Sequence, residues 1–590
     1  MCIALLASAE RGFASDRIRK DSAPLSELSR LAASRFPNLT HAELALLEFA
    51  DIGNLNYGEF AAAGPSPNPL DPNNDPKDAA TWTRDRDIRA TLIEWLAIDH
   101  AASARIHPSG IRVLGARVVG SLDLSYVHVP FAIMMIRCSI PQQIRLQATE
   151  IPRLDLNGSY TADIFAPDIH VAGSLFFGWD NHEYGPFHAN GEIDIDGGKV
   201  DGDLSFGEGH FRHSKAAFNP QFTALKVAIN ADEVEVKRAV TMCCGFESDG
   251  AVDLNESTIG GDLQFAGGRF VNPNNTAIAA SIARIGGTVL MSLEPFGAFY
   301  SDGAVELIAT HVAGAFSISS GKFAGKATER HGLFANLLEV DGPFGWEKVD
   351  LENGATLDLT GASVIALGDD QRSWPQPGKL LIDGFTYKSF GIVKDAPSRL
   401  RWVALQPEFH PQPYRQLAKV LRANGDDAGA VSVLIAEQDA RYQNSPLIRR
   451  IWAAFLKTTV GYGHEPLLTI IWAAIVVLLG WLMVTVGSQA GVMRRTWPES
   501  IPISGEVPSY ERLHPLLYSL DVFLPFVNLH QEHYWWPDAD AEGEWAIFGQ
   551  RMKISGRVLR YYFWMQIIAG WLLSAIFLAG VTGLIRTFED

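Results

Sequence analysis

Cysteine is scarce in this sequence: among 590 residues only Cys2, Cys138, Cys243 and Cys244 occur. Their spacing matches neither a zinc site nor the framework of a small disulfide-stabilised domain. Because neighbouring cysteines rarely bond to each other, we expect all four to be reduced, buried thiols in a protein of a reducing compartment.

The short motifs of several enzyme classes are absent as well. The chain has no GxGxxG between a strand and a helix, no GxxxxGK[ST], no GxSxG and no HExxH. These absences argue against dinucleotide-dependent, P-loop, serine-hydrolase and zinc-protease chemistry. The sequence therefore predicts no cofactor, no metal site and no catalytic residue.

Basic residues are outnumbered by acidic ones. The chain has 49 Lys and Arg against 67 Asp and Glu, a formal net charge of −18. Nucleic-acid binding requires clustered Lys and Arg that displace counterions from phosphates. Nucleic acid is therefore excluded as an expected partner, and the charge is attributed to solubility.

Apolar runs long enough to cross a bilayer are lacking before residue 466, and two follow, at 466–487 and 561–585. Each can span roughly 30 Å of hydrocarbon as a helix. The apolar run near the start lacks a preceding basic residue and is a poor secretion signal. We expect a multi-pass protein of the cell inner membrane, in contact with the lipid bilayer, with the large N-terminal region cytoplasmic. Basic residues such as Arg494 and Arg495 between the spans favour the opposite orientation.

A repeated pattern runs from about residue 110 to 384. Apolar pairs separated by one residue recur at steps of 10 or 11 residues or about twice that, often after glycine, as in VVGSLDLS, VDGDLSFG and IGGDLQFA. The alternation is typical of short strands, and its recurrence is typical of a solenoid. The sequence therefore predicts a mainly β protein with a parallel β-helix at 106–390, in coils of about 20–22 residues. A β-sandwich is the competing architecture, but it does not explain the regular step.

Six aspartates lie between paired apolar residues or directly before such a pair, and we expect them to point outward. They are Asp123, Asp155, Asp194, Asp203, Asp253 and Asp262. A calcium site needs several oxygens converging on one point, so one carboxylate per coil favours simple solvation. Two of them could serve a solenoid glycosidase or lyase, but the sequence singles out no pair.

Helical patterns flank the repeats. Residues 1–105 predict an N-terminal helical cap, with helices at 40–52 and 85–98, that covers one end of the solenoid. Residues 391–460 predict a helical hairpin, either a connector or a docking surface, and then a juxtamembrane helix. Arg449, Arg450 and Trp452 suit an amphipathic helix on the inner leaflet.

The string TVGYG, from Thr459 to Gly463, resembles the selectivity filter of potassium channels, whose main-chain carbonyls replace the water shell of the ion. A filter lies between an outer and an inner membrane helix, whereas the segment before this string is polar and charged. The context therefore favours a glycine-rich turn that leads into the first span of the membrane domain at 461–590.

The segment 514–538 lies between the two spans and has an apolar start. It predicts either a re-entrant half-helix or an interfacial segment with an aromatic belt. Its polar side chains are pore or loop candidates, although their spacing matches no metal motif. These candidates are Asp521, Asn528, His530, Glu532 and His533.

Residues 80–590 resemble a group of uncharacterised bacterial β-solenoid membrane proteins, which are similar in style to pentapeptide-repeat proteins and are sometimes labelled membrane-associated oxidoreductases. The resemblance is carried by the glycine-led coils, by the coil LLIDGFTYKSFG, by the hairpin YRQLAKVLRANGDDAGAVSVLIAEQDAR, by TVGYGHEP and by the two spans. It implies architecture rather than chemistry. A strict five-residue repeat is not kept, which leaves the number of sides of each coil open, and no redox CxxC, flavin or haem motif accompanies the oxidoreductase label.

Three functions remain. The first is a membrane-anchored cytoplasmic β-solenoid that acts as a binding or scaffold protein, through a protein partner or self-association. The alternative is an oligomeric, two-span, channel-like protein with a re-entrant segment at 514–538. A membrane-associated enzyme is the third and would require convergent, pKa-perturbed acids on one face of the solenoid.

Overall fold

The computed structural model describes residues 25–51, 60–178, 184–213, 226–291, 296–326, 330–496, 512–547 and 550–582. The chain divides into two compact units, Met1–Val393 and Lys394–Asp590. The first unit contains nearly all of the β-structure, and the second contains the long apolar helices.

The first unit is a parallel β-helix of about 11 coils, which confirms the predicted fold class and excludes the sandwich. Each complete coil contributes four short strands, and equivalent strands of successive coils pair in parallel register. They form four ladders, named A to D in the order in which a coil visits them. The coil is thus four-sided, a property that the sequence pattern left open.

Ladder A consists of Asp87–Arg89, Arg117–Val119, Ser139–Ile140, Tyr160–Thr161, His188–Ala189, His210–Arg212, Glu247–Asp249, the start of Arg269–Ala279, the start of Phe299–Glu306, Gly321–Ala324 and Val349–Leu351. Ladder B consists of Leu122–Asp123, Ile144–Arg145, Ile164–Phe165, Ile193–Asp194, Val227–Asn230, Ala251–Asp253, the ends of Arg269–Ala279 and Phe299–Glu306, Gly332–Phe334, Thr356–Asp358 and Leu380–Leu381.

Ladder C consists of Glu150–Ile151, His170–Val171, Lys199–Val200, Glu235–Val236, Thr258–Ile259, Arg284–Ile285, His311–Val312 and the starts of Glu339–Trp346, Ser363–Asp369 and Thr386–Phe390. Ladder D consists of Ala61–Ala62, Ile111–Leu114, Ile133–Ile136, Leu154–Asp155, Leu175–Gly178, Leu204–Phe206, Val240–Thr241, Leu263–Gln264, Val289–Leu290, Phe316–Ile318 and the ends of the three long strands of ladder C.

The core is a set of continuous columns of inward side chains, one residue per coil. In ladder B the column is Leu122, Ile144, Ile164, Ile193, Ile229, Val252, Ile278, Val305, Leu333, Leu357 and Leu380. Every member is at most 3% exposed. The predicted coil of 20–22 residues holds for Ile144 to Ile164, but the step from Ile193 to Ile229 is 36 residues. The inward register is kept across this longer step.

Beside this column, aromatic rings stack from coil to coil. Phe211, Phe246, Phe270 and Phe299 follow one another with ring centroids 5.0–5.6 Å apart. The series continues through Phe323 to Trp346. Aromatic pairs at this separation are stabilised beyond the burial of their area, which ties each coil to the next.

The sequence predicted that the aspartates between the apolar pairs are simply solvated. The structure shows instead that they form hydrogen bonds within the coil. In five coils the Oδ1 atom of such an aspartate accepts a hydrogen bond from the main-chain N–H two residues later, which is an Asx turn. The pairs are Asp123–Ser125, Asp155–Asn157, Asp194–Asp196, Asp253–Asn255 and Asp358–Thr360. The third residue after each aspartate has positive φ, from 53° at Glu256 to 68° at Gly361. The aspartate therefore forms the corner.

Asp155 departs furthest from the prediction, because it is only 1% exposed. Its carboxylate accepts hydrogen bonds from Arg153 at 2.8 Å and from the Asn157 side chain at 2.7 Å. These partners satisfy a buried charge that would otherwise be costly.

Cys138 is a free, buried thiol, as predicted. Burial raises the pKa of Cys138 to about 12, which makes this thiol unreactive. The expectation is wrong for Cys243 and Cys244, which are bonded to each other. They lie at the corner between ladders D and A, where positive φ at Cys244 turns its side chain toward its neighbour. Cys2 lies outside the described residues.

The N-terminal helices of the first unit are α1 (Glu27–Arg35), α2 (His41–Ala50), α3 (Ala90–Ile98) and α4 (His100–Ser103). The predicted helix at 85–98 begins only at Ala90, because Asp87–Arg89 pairs with Arg117–Val119 as the first strand of ladder A. The guanidinium of Arg89 donates to both carboxylate oxygens of Glu43 at 2.7 Å. This pair, in which Glu43 is buried and Arg89 is partly exposed, fixes α2 to the first coil.

The second unit begins with α5 (Ala396–Val403), the predicted hairpin α6 (Pro411–Ala423) and α7 (Asp427–Tyr442), and the juxtamembrane helix α8 (Leu447–Val460). It continues with α9 (Leu468–Gln489), α10 (Pro515–Phe523), α11 (Gln531–Tyr534) and α12 (Gly556–Val581). Strand Met493–Arg495 pairs with Trp535–Pro537, and Glu542–Ile547 pairs with Gln550–Ser555. Helices α9 and α12 are long and apolar enough to cross a membrane. Residues 583–585 of the second predicted span lie outside the described residues.

Replacement of Phe270 by Ala tests the aromatic column. Phe270 is fully buried between Phe246 and Phe299, so its loss leaves a cavity and should lower the free energy of unfolding by about 3–5 kcal/mol. The measurement is urea unfolding of the full-length chain in detergent, followed by far-ultraviolet circular dichroism. Thr258→Ala, at an exposed position of ladder C, should change this energy by less than about 0.5 kcal/mol. Equal effects of the two substitutions would contradict the role given to the column.

Candidate functional site

A polar groove crosses four successive coils on ladder A. Its first edge is the outward row His188, His210, Glu247 and Arg269, which are consecutive partners in the parallel register. The second edge, two residues further along each strand, contains Arg212, Asp249 and Val271. These residues, with Phe211 and Ser248 between the edges, line a cavity of about 240 Å³.

Two imidazoles stack at one end of the groove. The His188 and His210 rings lie 4.7 Å apart and nearly parallel, and the Tyr160 ring contacts His188 at 4.2 Å. The parallel register produces this stack because it sets equivalent side chains one strand spacing apart. Burial, together with the nearby charges of His210 and Arg212, lowers the pKa of His188 to about 4. His188 is therefore neutral at pH 7, when one ring nitrogen donates and the other accepts.

Charged groups of both signs continue the groove. Nδ1 of His210 lies 3.0 Å from the Glu247 carboxylate. The Arg269 guanidinium lies over the Tyr300 ring at 4.2 Å, a cation–π contact that fixes its direction. Ser248 is 2% exposed and in register with the buried Phe211 and Phe270, so its hydroxyl belongs to the core and not to the ligand-facing surface. The groove thus offers donors and acceptors for a polar ligand of mixed charge.

A set of acids occupies the adjacent ladder B. The N–H of Glu192 donates to Asp163 at 3.0 Å. Burial, reinforced by the charges of Asp194 and Asp163, raises the pKa of Glu192 to about 7. Burial and the charges of Asp253 and Asp196 raise the pKa of Asp232 to about 6. These are the pKa-perturbed acids that an enzyme would require, but no group of three residues able to hold a metal occurs in the described part of the chain.

Among the candidates of the segment 514–538, Asp521 is buried and the others lie at the surface. The Asp521 carboxylate accepts hydrogen bonds from the N–H groups of Leu529 at 2.6 Å and Glu532 at 2.9 Å. Asn528 accepts one from the N–H of His530 at 2.8 Å. These contacts order the loop after α10. His530 and His533 do not join Asp521 in a metal-binding group of the described residues.

Helix α10 contacts both long helices near their middles. The Ser519 hydroxyl donates to the carbonyl of Val477, the tenth residue of α9, at 2.7 Å. Nε2 of Gln566, the eleventh residue of α12, donates to the Ser519 carbonyl at 2.9 Å. His514, before α10, bonds to Gln531 after it at 3.1 Å, so the segment turns back near the point where it started. This is the geometry of a re-entrant segment wherever α9 and α12 cross a bilayer.

The string from Thr459 to Gly463 contains the last two residues of α8 and the turn Gly461–Gly463 that follows it. Gly461 and Tyr462 both have a φ of 53°, which ends α8. The carbonyls of Thr459, Val460 and Gly461 accept hydrogen bonds from Thr469, Glu465 and His464, respectively. Oxygens engaged in this way do not form a ring around an ion, and Tyr462 is 2% exposed.

Comparisons with protein-family models, with curated proteins and with solved structures find no match to this chain. The candidate sites therefore rest on their own geometry. The structure supports the repeat β-helix implied by the sequence resemblance, and it adds nothing for the oxidoreductase label.

Substitution of Glu192 by Gln tests the acid set through the dependence of stability on pH. Because the folded-state pKa of about 7 lies above the ordinary value of 4.5, the contribution of Glu192 to stability is complete below pH 4.5 and is lost as the pH rises through 7. Gln remains neutral, so the variant should be more stable than the wild type at pH 8 by about 1–2 kcal/mol, after allowance for solvent screening. Urea unfolding at pH 8 and pH 4.5 measures this. The exposed Glu339→Gln is the control. If the difference in stability between Glu192→Gln and the wild type were the same at pH 8 and pH 4.5, the prediction would be contradicted.

Proposed function

We propose that this protein is a membrane-anchored β-solenoid that binds a protein partner through the ladder A groove. The observation that carries the proposal is the convergence of His188, His210, Arg212, Glu247 and Arg269 from four coils on one shallow cavity. A solenoid presents such side chains on an extended, rigid surface, which is the surface that repeat proteins use for binding.

The proposed membrane anchor is the pair of helices α9 and α12, which are long and apolar enough to cross a membrane. We place the protein in the inner membrane with the solenoid in the cytoplasm. The exposed Arg449 and Arg450 of α8, which precede the first of these helices, suit the inner leaflet and therefore a cytoplasmic N-terminal side. Nucleic acid is not proposed, because the groove mixes acids with its arginines.

A photoreactive residue, p-benzoylphenylalanine, at position 212 tests the groove directly. The full-length chain that carries this residue at position 212 should yield one discrete crosslinked adduct when native membranes are irradiated. Arg212 is exposed on the second edge of the groove, so the photoreactive side chain can reach a bound partner. The same residue at position 238, another exposed arginine outside the groove, is the control. The adduct should disappear with His210→Ala and Glu247→Ala. Identical adducts from both positions, or none from position 212, would refute the groove as a binding surface.

The second candidate function is an oligomeric channel, and the mid-depth position of α10 favours it. Ser519 joins α10 to the middles of α9 and α12, which is where a re-entrant helix of a two-span channel lies. Two spans of one chain do not line a pore, so this function requires several copies around an axis.

If the channel function holds, the purified full-length chain is an oligomer and conducts ions in liposomes. Asn528→Ala should then reduce the flux, because Asn528 is exposed and orders the loop next to α10. Asn424→Ala, in the exposed turn of the helical hairpin, should leave it unchanged. Cross-linking with light scattering measures the copy number. A strictly monomeric chain would exclude the channel and leave the binding function intact.

A further inference from the structure

The second unit contains an apolar groove between the first half of α9 and the second half of α12. Its volume is about 310 Å³, and its lining includes Ile470 and Ala473 from α9 and Leu573 and Phe577 from α12. Phe523, the last residue of α10, closes it at one end. The groove thus lies between two helices that are long enough to cross a bilayer, where no water is available to fill it.

The groove is confined to one half of the helix pair. Phe523 packs with Val477 and Leu573 in a buried cluster near the middle of both helices. Phe526, just after α10, contacts the Trp571 ring at 5.3 Å. The re-entrant segment therefore forms the roof, and the groove extends from it toward the start of α9.

At its open end the groove meets helix α8. The Thr469 hydroxyl, in the lining, donates to the Thr459 carbonyl at 3.1 Å, and Nε1 of Trp472 donates to the Thr458 carbonyl at 2.7 Å. Helix α8 exposes Trp452 by 52% and also exposes Arg449 and Arg450. This combination is typical of a helix at the level of lipid headgroups, so the open end lies at the membrane interface.

The lining argues for a thin, flexible occupant rather than another helix. Helices associate closely in membranes through small residues. Two glycines of the long helices are already used inside the protomer: a Cβ on Gly480 would collide with Ser519, and one on Gly570 would collide with the Phe523 carbonyl. The groove instead presents Ile470, Phe577 and other large side chains around Ala473 and Ser574.

We propose that this groove binds one acyl chain of a membrane phospholipid, drawn from the leaflet on the α8 side. The apolar walls bury the chain, and the roof limits it to half of the bilayer. The lipid then supports the roof and so stabilises the re-entrant segment. This site is independent of the solenoid groove and of its partner.

The test is the amount of phospholipid that the full-length chain retains after extensive detergent washing, measured by native mass spectrometry. Ala473→Trp fills the groove, whereas Ile471→Trp adds the same bulk at a neighbouring position that is 57% exposed. The wild type and Ile471→Trp should retain one phospholipid, and Ala473→Trp should retain about tenfold less. Reconstitution with phosphatidylglycerol or phosphatidylcholine before washing shows which headgroup is favoured. Equal retention by all three chains would overturn the proposal.

A second measurement covers the case in which Ala473→Trp does not fold. A phospholipid with a diazirine in its acyl chain, irradiated with the wild-type protein, should label Leu573 and Phe577 in preference to the exposed Trp481 and Leu482. Uniform labelling of the exposed residues would refute a specific site. If Ala473→Trp instead converts a dimer to a monomer without loss of lipid, a second copy of the chain occupies the groove, and the proposal is wrong.

Discussion

The parallel register of the inward side chains is the constraint on which the solenoid depends. A single coil of four short strands buries little apolar area and is not stable alone. Stacking converts each inward position into a column, such as the ladder B series from Leu122 to Leu380 and the rings from Phe211 to Trp346. A one-residue slip would turn a whole strand outward, so the columns also fix the register of every outward side chain. The groove on ladder A exists because the core holds His188, His210, Glu247 and Arg269 in line.

Corner geometry is the second requirement, and it explains why aspartate recurs in a strand pattern. Asp194 accepts a hydrogen bond from the N–H of Asp196, and the residue after that turn, Gly197, has a φ of 63°. A serine or threonine would bond more weakly, and a lysine would not accept at all. The cost is that acids are buried near one another: burial, together with the charges of neighbouring aspartates, raises the pKa values of Glu192 and Asp232. The perturbed acids on ladder B are thus a consequence of how the corners are built, which weakens the case for catalysis there.

The sequence predicted the solenoid because the alternation of apolar residues is local and is repeated many times. It did not predict the groove, because the partners are set by register over coils of unequal length: His210 pairs with Glu247 across 37 residues, whereas Glu247 pairs with Arg269 across 22. The start of the solenoid was missed for a similar reason, since Asp87–Arg89 has the apolar spacing of a helix but pairs with a strand 30 residues away. The bonded Cys243 and Cys244 depend on one residue with positive φ, a property that composition does not reveal.

The second unit shows how polar side chains can define an arrangement of apolar helices. Gln566 and Ser519 are buried, and they bond to each other and to the Val477 carbonyl near the middle of the helix pair. Without α10, the Gln566 amide would lose these partners among apolar side chains, where an unsatisfied polar group is costly. Helix α10 is therefore a structural partner of both long helices, whatever the oligomeric state. The Oε1 atom of Gln566 and the Tyr518 hydroxyl remain buried without hydrogen-bond partners among the described residues. Burying these two atoms is costly, so the packing of α10 against both long helices must outweigh this cost in the folded unit.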